Sequence, residues 1–453
     1  MFRKLGLVIL CIAIGSVTVF ATGQKEEGAA AAGPSSGDAW TDMVKKAYGG
    51  MTITVAATSH PAADSIRAME KDFTALTGIK VRWDSMEEGL LRQKLLMEHQ
   101  SKTGVYDVMM IDAFNLAEYQ PSGVALPLKE LIDNKEMTPS WYDYEDISGA
   151  FRDGVGGYKN VVYGIPIAGE TRFLGYRKDL FEKYGKQPPK TLAEMLELAK
   201  FFTGKEPGLY GIGMRAQRGI HFASGWMTLM YSLGGEFLDQ KTWKPLCNSP
   251  GTISSLEYYV NLLKYAPPDV GVYTHEEAIS AFMAGKTAMW LDATAIAPWI
   301  LDPSKSKVYD KVAFAPPPAG PAGDFGVMAG WSIGISSDSP RKQQEAAWAF
   351  IMYMTSKKNS KAYVLGGGTP TRASLLNDPD VLKVHPYLPA MNLALKSADN
   401  LVKTGRTWIP ANVKAIKILE VGGEFGSRVQ AGELSAKDAM DQAQIQCEKI
   451  MAE

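Results

Sequence analysis

The chain has 453 residues, of which 46% are hydrophobic and 21% are charged, a balance typical of a globular protein. This length exceeds what one small hydrophobic core can organise, so we expect two domains or one large α/β body. The formal net charge of −1 excludes the strongly basic surface typical of nucleic-acid-binding proteins, and we therefore expect no nucleic-acid partner.

Residues 1–21 have the pattern of a cleaved secretory signal peptide. Arg3 and Lys4 precede an apolar run over residues 5–20, and the small residue Ala21 stands at the expected cleavage position. The alternative is a transmembrane anchor, but the run is short for a bilayer. We therefore expect export to the periplasm or another extracytoplasmic space.

A flexible tether is predicted for residues 22–45, because the Gly, Ala, Ser and Glu of its first part show no core-forming pattern. Strands and helices then alternate. The stretch "MTITVAATSH" predicts a strand, and apolar residues from Ile66 to Leu76 recur at spacings of 3, 4 and 3, which predicts a helix. The stretches "IKVRWDS" and "YDVMMIDA" predict two more strands with a helix between them. This β-α-β-α-β order predicts a parallel, doubly wound sheet.

Further helices and strands are predicted after residue 190, and the part of the chain that follows the helix "PRKQQEAAWAFIMYMTS" is predicted to be mainly helical. The stretch "TLAEMLELAKFF" has the pattern of a helix. Further along, Thr274 and Glu277 form a capping box, and Gly285 ends the helix that they begin. The strand "TAMWLD" follows this helix directly.

Two extended segments that contain proline, residues 163–168 and 314–320, have the pattern of stiff connections between two lobes. A chain that crosses twice makes each lobe discontinuous and leaves a cleft with a hinge between them. The predicted N-terminal lobe comprises residues 51–165 and 314–356, and the predicted C-terminal lobe comprises residues 166–313 and 357–453.

Three cysteines and five histidines are present. Outside the signal peptide only Cys247 and Cys447 remain, and in an oxidising compartment they could pair. The alternative is two buried free thiols; the spacing does not decide, and we expect free thiols. No C-x-x-C motif, acidic calcium loop, phosphate-binding glycine loop or dinucleotide fingerprint occurs, and the histidines are scattered. We therefore expect neither a metal nor a cofactor.

Several stretches, in a fixed order, resemble the bacterial extracellular solute-binding proteins of ABC importers, in particular the maltose-binding-like, sugar-binding branch. They are "TITVAATSHPAADSIRAMEKDFTALTGIKV", "YDVMMIDAFNLAEYQPSGVALPL", "YGIPIAGETRFLGYRKDLFEKYGKQPPKTLAEM", and "EEAISAFMAGKTAMWLDA" followed by "GWSIGISSDSPRKQQEAAWAFIMYMTS". The resemblance covers residues 51–453. It implies an α/β, two-lobed periplasmic binding protein fold of type II, in which each lobe is a doubly wound sheet flanked by helices and the ligand cleft lies at the hinge.

The resemblance further implies a receptor without catalytic activity. Such a receptor binds a sugar or a sugar alcohol and delivers it to the membrane permease subunits of an ABC importer. We expect it to be a monomer. A site for these ligands needs charged donors and acceptors for hydroxyl groups, and flat aromatic surface for C–H faces.

Glu170 and Arg172 stand inside an apolar segment, where burial is costly unless the charges are paired or bind a ligand. Alternate residues of a strand share a face, so both side chains would reach the cleft floor just past the first crossing. The family pattern places an acid at the Glu170 position in contact with ligand. The alternative is a structural ion pair between the two residues that fixes the hinge.

Strand ends supply further candidate ligand contacts, because open α/β sheets bind ligands at their carboxyl edge. His60 follows the first strand, and Asp112 ends the third strand with Asn115 close behind it. Asp292 ends the strand "TAMWLD", and Trp290 precedes it on the same face. The alternatives are a loop histidine, a helix cap at Asp112 and a core tryptophan.

The remaining candidate ligand contacts are three tryptophans and an arginine. Trp331 follows a flexible Ala-Gly pair, so its ring can project into the cleft. Trp226 lies in "HFASGWMTLM", Trp408 lies in "GRTWIP", and Arg372 lies in "GGGTPTR". The alternatives are a buried helix face for Trp226 and a solvent-exposed side chain for Arg372.

A secreted hydrolase is the rival function. The motif Gly-Trp-Ser-Ile-Gly around Ser332 matches the nucleophile elbow of α/β-hydrolases, with Asp380 and His385 following in the right order. The elbow needs a strand that turns directly into a helix, whereas the sequence after Ser332 continues as a strand. Glu170 and Asp292 could instead form the carboxylate pair of a glycosidase. A structural or adhesive surface protein is a further alternative, against which the hinge-like crossings argue.

Overall fold

The computed structural model describes residues 33–453, which form two α/β lobes. The predicted signal peptide, residues 1–21, and residues 22–32 of the predicted tether lie outside the described residues. Between residues 33 and 453, no helix is both long enough and apolar enough to span a bilayer.

The strands and helices alternate along the first part of the chain, and helices dominate its end. The strands are β1 (Thr52–Thr58), β2 (Lys80–Met86), β3 (Val108–Asp112), β4 (Gly157–Tyr158), β5 (Val161–Val162), β6 (Gly164–Glu170), β7 (Arg172–Arg177), β8 (Tyr210–Gly213), β9 (Thr287–Ala293), β10 (Val312–Ala315) and β11 (Ala329–Ile335). The helices are α1 (Ala39–Tyr48), α2 (Pro61–Ala68), α3 (Glu70–Thr77), α4 (Glu88–Gln100), α5 (Leu116–Ser122), α6 (Lys129–Asp133), α7 (Gly149–Gly154), α8 (Lys178–Lys183), α9 (Leu192–Phe202), α10 (Ile220–Met230), α11 (Pro250–Leu263), α12 (His275–Met283), α13 (Ala297–Leu301), α14 (Arg341–Thr355), α15 (Lys357–Leu365), α16 (Pro379–Val384), α17 (Leu388–Lys403), α18 (Ala415–Gln430) and α19 (Ala436–Ala452).

Helix α1 begins inside the segment that was predicted to be a tether. Asp38 caps it, because its carboxylate accepts hydrogen bonds from backbone N–H groups of the first turn. Trp40, Val44 and Tyr48 recur at helical spacing and are buried where α1 packs against α3 and α14. The tether prediction is therefore wrong for residues 39–45, since these large apolar side chains complete the core of the first lobe.

The first lobe is built on a five-stranded sheet with the order β2-β1-β3-β11-β6. Strands β1, β2 and β3 run parallel, which confirms the predicted β-α-β-α-β unit. Strand β11 runs antiparallel to both β3 and β6. All residues of β3 are buried, as expected for a central strand whose sheet is covered by helices on both faces.

The second lobe is built on a four-stranded sheet with the order β10-β7-β9-β8. Strand β7 runs antiparallel to β10 and β9, and β8 runs parallel to β9. The predicted capping box of Thr274 and Glu277 opens α12. Gly285 follows the helix with φ of 81° and turns the chain into β9. The signals for this helix and strand were therefore read correctly from the sequence.

The first crossing between the lobes lies at Thr171. Strand β6 pairs within the first sheet as far as Glu170, so the crossing comes later than the predicted boundary at residue 165. Thr294 fixes the crossing, because its Oγ1 accepts a hydrogen bond from the Thr171 N–H at 3.1 Å and its own N–H donates to the Thr171 carbonyl at 2.9 Å.

Two further crossings also differ from the predicted boundaries. Strand β10 still belongs to the second sheet, so the first lobe resumes at β11 and not at residue 314. Helices α14 and α15 both stay on the first lobe, where the Tyr363 hydroxyl of α15 donates to the Ile167 carbonyl of β6. The predicted return at residue 357 is therefore too early, and the chain reaches the second lobe with α17, which packs on β7 and β10.

Backbone packing beside β6 predicts a strict requirement for glycine at residue 330. Gly330 has φ of 151°, and an added Cβ would stand 2.1 Å from the Ala168 carbonyl oxygen. We expect Gly330→Ala to lower the free energy of unfolding by about 3 kcal/mol, because backbone strain and steric overlap act together. Urea unfolding followed by tryptophan fluorescence measures this change.

Gly432→Ala is the matched control for this substitution. Gly432 also has a positive φ, 76°, but no atom lies within 4 Å of its added Cβ. We expect it to cost about 1 kcal/mol, the ordinary cost of a left-handed alanine. Equal costs at the two positions would show that contact with β6 does not constrain Gly330.

Candidate functional site

The first lobe contributes predicted residues from the ends of three strands and from the face of β11. His60 follows β1, Asp112 ends β3, and Glu170 ends β6. The His60 Nε2 atom lies 3.7 Å from a Glu170 carboxylate oxygen, and the His60 ring centroid lies 6.1 Å from that of Trp331. Because His60 Nδ1 accepts a hydrogen bond from the Ala62 N–H at 3.1 Å, the neutral imidazole carries its proton on Nε2, toward Glu170.

The second lobe contributes a buried carboxylate held by two arginines. Arg215 donates to both oxygens of Asp292, at 2.7 and 3.1 Å, and an Arg172 nitrogen lies 3.3 Å from the same carboxylate. Arg172 also donates to the hydroxyls of Thr228, at 2.9 Å, and Ser224, at 2.6 Å. Burial alone would raise the pKa of Asp292, but the two guanidiniums outweigh it and hold the pKa below its ordinary range. Asp292 therefore remains a carboxylate in the folded protein.

Charged residues from the two lobes meet directly across the cleft. A Glu88 oxygen, at the start of α4, accepts a hydrogen bond from Arg215 at 2.8 Å. His221 lies 3.4 Å from both Glu87 and Glu88, and His275 lies 3.7 Å from Glu88. Burial alone would raise the pKa of Glu88, but nearby cations, Arg215 first, hold this pKa well below its ordinary value.

These charged residues and their neighbours form one group, which we call the interlobe cluster. Its members are His60, Glu87, Glu88, Arg92, Asp112 and Glu170 of the first lobe, and Arg172, Arg215, His221, His275 and Asp292 of the second lobe.

Several buried side-chain atoms in and beside the interlobe cluster have no hydrogen-bond partner among the described residues. They are His60 Nε2, Glu87 Oε1, Asn115 Oδ1, Thr171 Oγ1, His221 Nδ1 and His275 Nδ1. Buried polar atoms in folded proteins normally have partners, and a leftover set of donors and acceptors suits a polar ligand. The cleft is therefore equipped to bind a molecule that offers several hydroxyl groups.

A cavity of about 300 Å³ lies between the lobes beside the cluster. We call it the interlobe cavity; the first lobe lines it with Ala113 and Tyr158, and the second lobe with Trp408 and Pro410. The Arg172 guanidinium lies 5.0 Å from the centre of the Trp408 ring, which connects this cavity to the cluster. This volume is at the lower end of the range for small-molecule sites.

Most of the predicted contact residues come together in the cleft. These are His60, Asp112, Glu170, Arg172, Asp292, Trp331 and Trp408, with Asn115 beside Asp112. The suggested ion pair between Glu170 and Arg172 does not form, because the two residues lie in different sheets and pair with His60 and Asp292 respectively. Asp112 also accepts a hydrogen bond from the Asn115 N–H at 3.0 Å, but Asn115 precedes α5, so this bond does not cap the first turn of the helix.

Two predicted tryptophans lie in the core and not in the cleft. Trp226 is fully buried, and its Nε1–H donates to the Ser255 hydroxyl at 2.9 Å. Trp290 is buried against Phe282, with ring centroids 6.2 Å apart. These contacts support the alternative that Trp226 and Trp290 are core residues, because both rings pack against other side chains inside the second lobe.

Arg372 is also placed away from the cleft. Its guanidinium is buried in the first lobe, where it donates to the carbonyl oxygens of Tyr142, Asp143 and Thr355 at 2.8–2.9 Å. The expected alternative of an exposed arginine is wrong as well, since the side chain is 1% exposed. Arg372 ties the loop after α15 to the first lobe.

The hydrolase geometry is not formed. Ser332 lies inside β11, and its hydroxyl donates to the Ile111 carbonyl of β3 at 3.2 Å. His385 contacts the Val364 carbonyl at 2.7 Å through Nε2. Of the suggested glycosidase pair, Asp292 is held by Arg215 through both of its oxygens, so it cannot serve as the proton-donating acid of such a pair.

One group in the cluster has the spacing of a metal site. Ligand atoms of Glu87, Glu88 and His221 lie within 4.8 Å of one another. The Arg215 guanidinium donates to Glu88 at 2.8 Å, and this cation opposes a second positive charge at the same carboxylate. The group therefore suits hydroxyl binding better than metal binding.

The burial of His275 predicts a pH-dependent stability. Burial lowers the pKa of His275 to about 4, although Glu88 opposes the shift, whereas its ordinary value is 6.5. Between these values the unfolded chain binds more protons than the folded chain, so the free energy of unfolding falls as the pH falls from 6.5 to 4.

We expect this decline to amount to about 2–3 kcal/mol and to be smaller in His275→Gln, whose side chain does not titrate. Urea unfolding at pH 7, 6, 5 and 4 measures both proteins. Parallel pH profiles for the two proteins would show that His275 is not the group responsible.

Comparison with known proteins places this architecture. The family model for bacterial extracellular solute-binding proteins matches residues 56–361, more than half of the chain. A mannitol-binding protein of Pseudomonas aeruginosa is 27% identical over 416 residues, which cover 88% of this chain and 92% of the relative.

Solved structures agree with this match. An ABC transporter solute-binding protein of Agrobacterium radiobacter K84, in complex with ribitol, has a TM-score of 0.82 and 29% identity, covering 89% of this chain and 99% of that one. Another ABC transporter solute-binding protein, from Agrobacterium vitis S4 with bound D-mannitol, has a TM-score of 0.79 and 29% identity. The match covers 89% of this chain and 98% of that one. The chain therefore belongs to the bacterial extracellular solute-binding protein family, and its two lobes form a periplasmic binding protein fold of type II.

Proposed function

We propose that the chain is the extracytoplasmic receptor of an ABC importer, which binds a sugar alcohol or a sugar between its lobes and delivers it to membrane permease subunits. The interlobe cluster carries this proposal, because charged side chains of both lobes meet there around buried polar atoms that lack partners. Similar proteins named for mannitol or bound to ribitol and mannitol favour a sugar alcohol. Export through a cleaved signal peptide and a monomeric state are parts of the same proposal.

The chemistry of the cluster matches that of a polyol. Each hydroxyl group can donate one hydrogen bond and accept others, so a site for several hydroxyls needs both kinds of partner. Glu170 and Glu87 offer acceptors, Arg172 offers donors, and the histidines His221 and His275 each offer a nitrogen without a partner. Hydrogen bonds to charged groups are about twice as strong as neutral ones, which suits a ligand that carries no charge itself.

The aromatic surface favours a small ligand over a long oligosaccharide. Of the predicted tryptophans, Trp331 and Trp408 lie at the cleft, whereas Trp226 and Trp290 fill the core. A long oligosaccharide would need a row of rings for its successive C–H faces. A cleft rich in charges with few rings suits the open-chain form of a sugar alcohol.

Contacts across the cleft explain how ligand binding would close the lobes. Arg215 and Glu88 already join the lobes, and Lys305 joins Asp64 at the surface at 3.1 Å. A ligand that adds hydrogen bonds to both lobes stabilises the closed arrangement more than an open one. The closed receptor would then be the form that the permease recognises.

A thermal-shift screen of the mature chain tests the proposed function, with D-mannitol, ribitol, maltose and L-glutamine as probes and calorimetric titration of any hit. We expect one sugar alcohol to raise Tm and to bind at one site without product formation. Stabilisation by L-glutamine alone, or turnover of any probe, would overturn the proposal.

The two classes of tryptophan predict different effects on binding. Trp331→Phe removes part of the ring surface beside His60, and we expect it to weaken the affinity for the identified ligand about tenfold. Trp226→Phe removes the same groups in the core, and we expect it to lower Tm while leaving the affinity within about twofold. Calorimetric titration of both variants compares them. A larger loss of affinity in Trp226→Phe would contradict the placement of the site.

A buried and an exposed interlobe ion pair predict different effects on closure. Glu88→Gln leaves Arg215 with a weakened partner in the buried cleft, and we expect about 10–100-fold weaker ligand binding and a larger radius of gyration by X-ray scattering. Asp64→Asn breaks the exposed pair with Lys305, and we expect less than about fivefold loss. If the ligand leaves the scattering profile of the wild-type chain unchanged, closure is not the mechanism.

A further inference from the structure

Two thiols meet inside the second lobe. Cys247 lies in the segment that leads to α11, and Cys447 lies on α19, the last helix. Both are fully buried free thiols, and their Sγ atoms are 3.3 Å apart. The third cysteine, Cys11, lies in the predicted signal peptide, so a mature chain would hold this pair alone.

Hydrogen bonds on both sides of Cys247 hold its segment against α19, which carries Cys447. The Gln444 side chain of α19 donates to the Pro245 carbonyl at 3.0 Å, and the Asn248 side chain donates to Asp441 at 3.1 Å. Residues 245–248 are thus fixed along α19 on either side of the thiols. To reach the length of a disulfide bond the two sulfurs need to approach by about 1.3 Å.

We infer that Cys247 and Cys447 form a covalent clamp, which is a pair of free thiols in the reduced chain and a disulfide in the exported chain, and which fastens the C-terminal helix α19 to the second lobe. The inference does not depend on which ligand the cleft binds. Exported proteins meet oxidising conditions in which disulfides persist. The covalent link would close a loop of about 200 residues, which strongly restricts the unfolded chain.

The oxidant required is an external disulfide, either of a thiol–disulfide oxidoreductase or of oxidised glutathione. One cysteine thiolate attacks a sulfur of that disulfide, whose S–S bond breaks and releases one thiolate. The second cysteine thiolate then attacks the mixed disulfide, forms the internal S–S bond and releases the other thiolate. Both cysteine sulfurs are oxidised, the external disulfide is reduced, and the protons of the two cysteine thiols pass through solvent to the released thiolates.

Burial controls when this exchange can happen. The contact with Cys447 and burial both raise the pKa of the Cys247 thiol, so little thiolate exists once the lobe has folded. No external disulfide reaches fully buried sulfurs. Oxidation therefore occurs during folding, and the folded protein resists both further oxidation and reduction.

Counting free thiols tests the clamp in the mature chain, refolded with or without oxidised glutathione. After oxidative refolding, we expect no cysteine to be alkylated in denaturant, whereas after reduction we expect both cysteines to be alkylated. The intact mass of the oxidised chain should be lower than that of the reduced chain by two hydrogens. We also expect reductive refolding to lower Tm by about 5 °C or more, and C-terminal proteolysis of α19 to become faster. Two alkylated cysteines after oxidative refolding would overturn the inference, as would an oxidised chain whose Tm equals that of the reduced one.

The double variant Cys247→Ala/Cys447→Ala is the matched control. Its Tm should be the same after oxidative and reductive refolding, because it has no thiols. A glutathione effect of equal size in this variant would show that the shift does not come from the pair and would overturn the clamp. Ligand titration of the oxidised and reduced chains separates the two proposals, since loss of the clamp should leave ligand affinity within about threefold.

Discussion

The buried carboxylate of Asp292 is the interaction on which the rest of the cleft depends. It accepts two hydrogen bonds from Arg215 and lies 3.3 Å from Arg172, so it holds both guanidiniums inside the second lobe. Arg215 then has a free edge, with which it reaches Glu88 of the first lobe. Without the negative charge of Asp292 the two arginines would repel each other in a dry interior, and neither could present donors to the cleft.

This arrangement also limits the proton chemistry of two carboxylates, Asp292 and Glu88. A catalytic acid or base must exchange a proton, and its pKa must lie near the working pH. The arginines around Asp292 and Glu88 hold both pKa values below the ordinary range and keep both groups ionised. The same feature that makes these carboxylates poor proton donors makes them strong, permanent hydrogen-bond acceptors. This property agrees with the proposed receptor function, in which the ligand would leave unchanged.

The sequence predicted the parts of this site that depend on local pattern. The capping box of Thr274 correctly predicted α12, and the stretch "TAMWLD" correctly predicted β9, which carries Asp292. The sequence analysis missed Arg215, which follows β8. This strand has only four residues, two of them glycine, so its sequence resembles a loop. The sequence analysis also missed Glu88, which begins an ordinary amphipathic helix and meets its partner 127 positions later in the chain. Tryptophan is equally ambiguous: Trp226 and Trp331 differ only in what the fold places beside them, which no short window reveals.

The position of the crossings follows from hydrogen bonding more than from proline. Pro166 lies inside β6, and the strand continues past it through a register shift opposite Trp331 and Ser332. Proline has no N–H to donate to the neighbouring strand, and the register shift accommodates this gap in the pairing. The sheet therefore extends to Glu170, and the chain changes lobes at Thr171. Glu170 and Arg172 therefore stand one residue to either side of the crossing, each held by its own lobe. In the proposed closure, rotation of the lobes about this crossing would move both side chains little, so they would form the floor of the cleft.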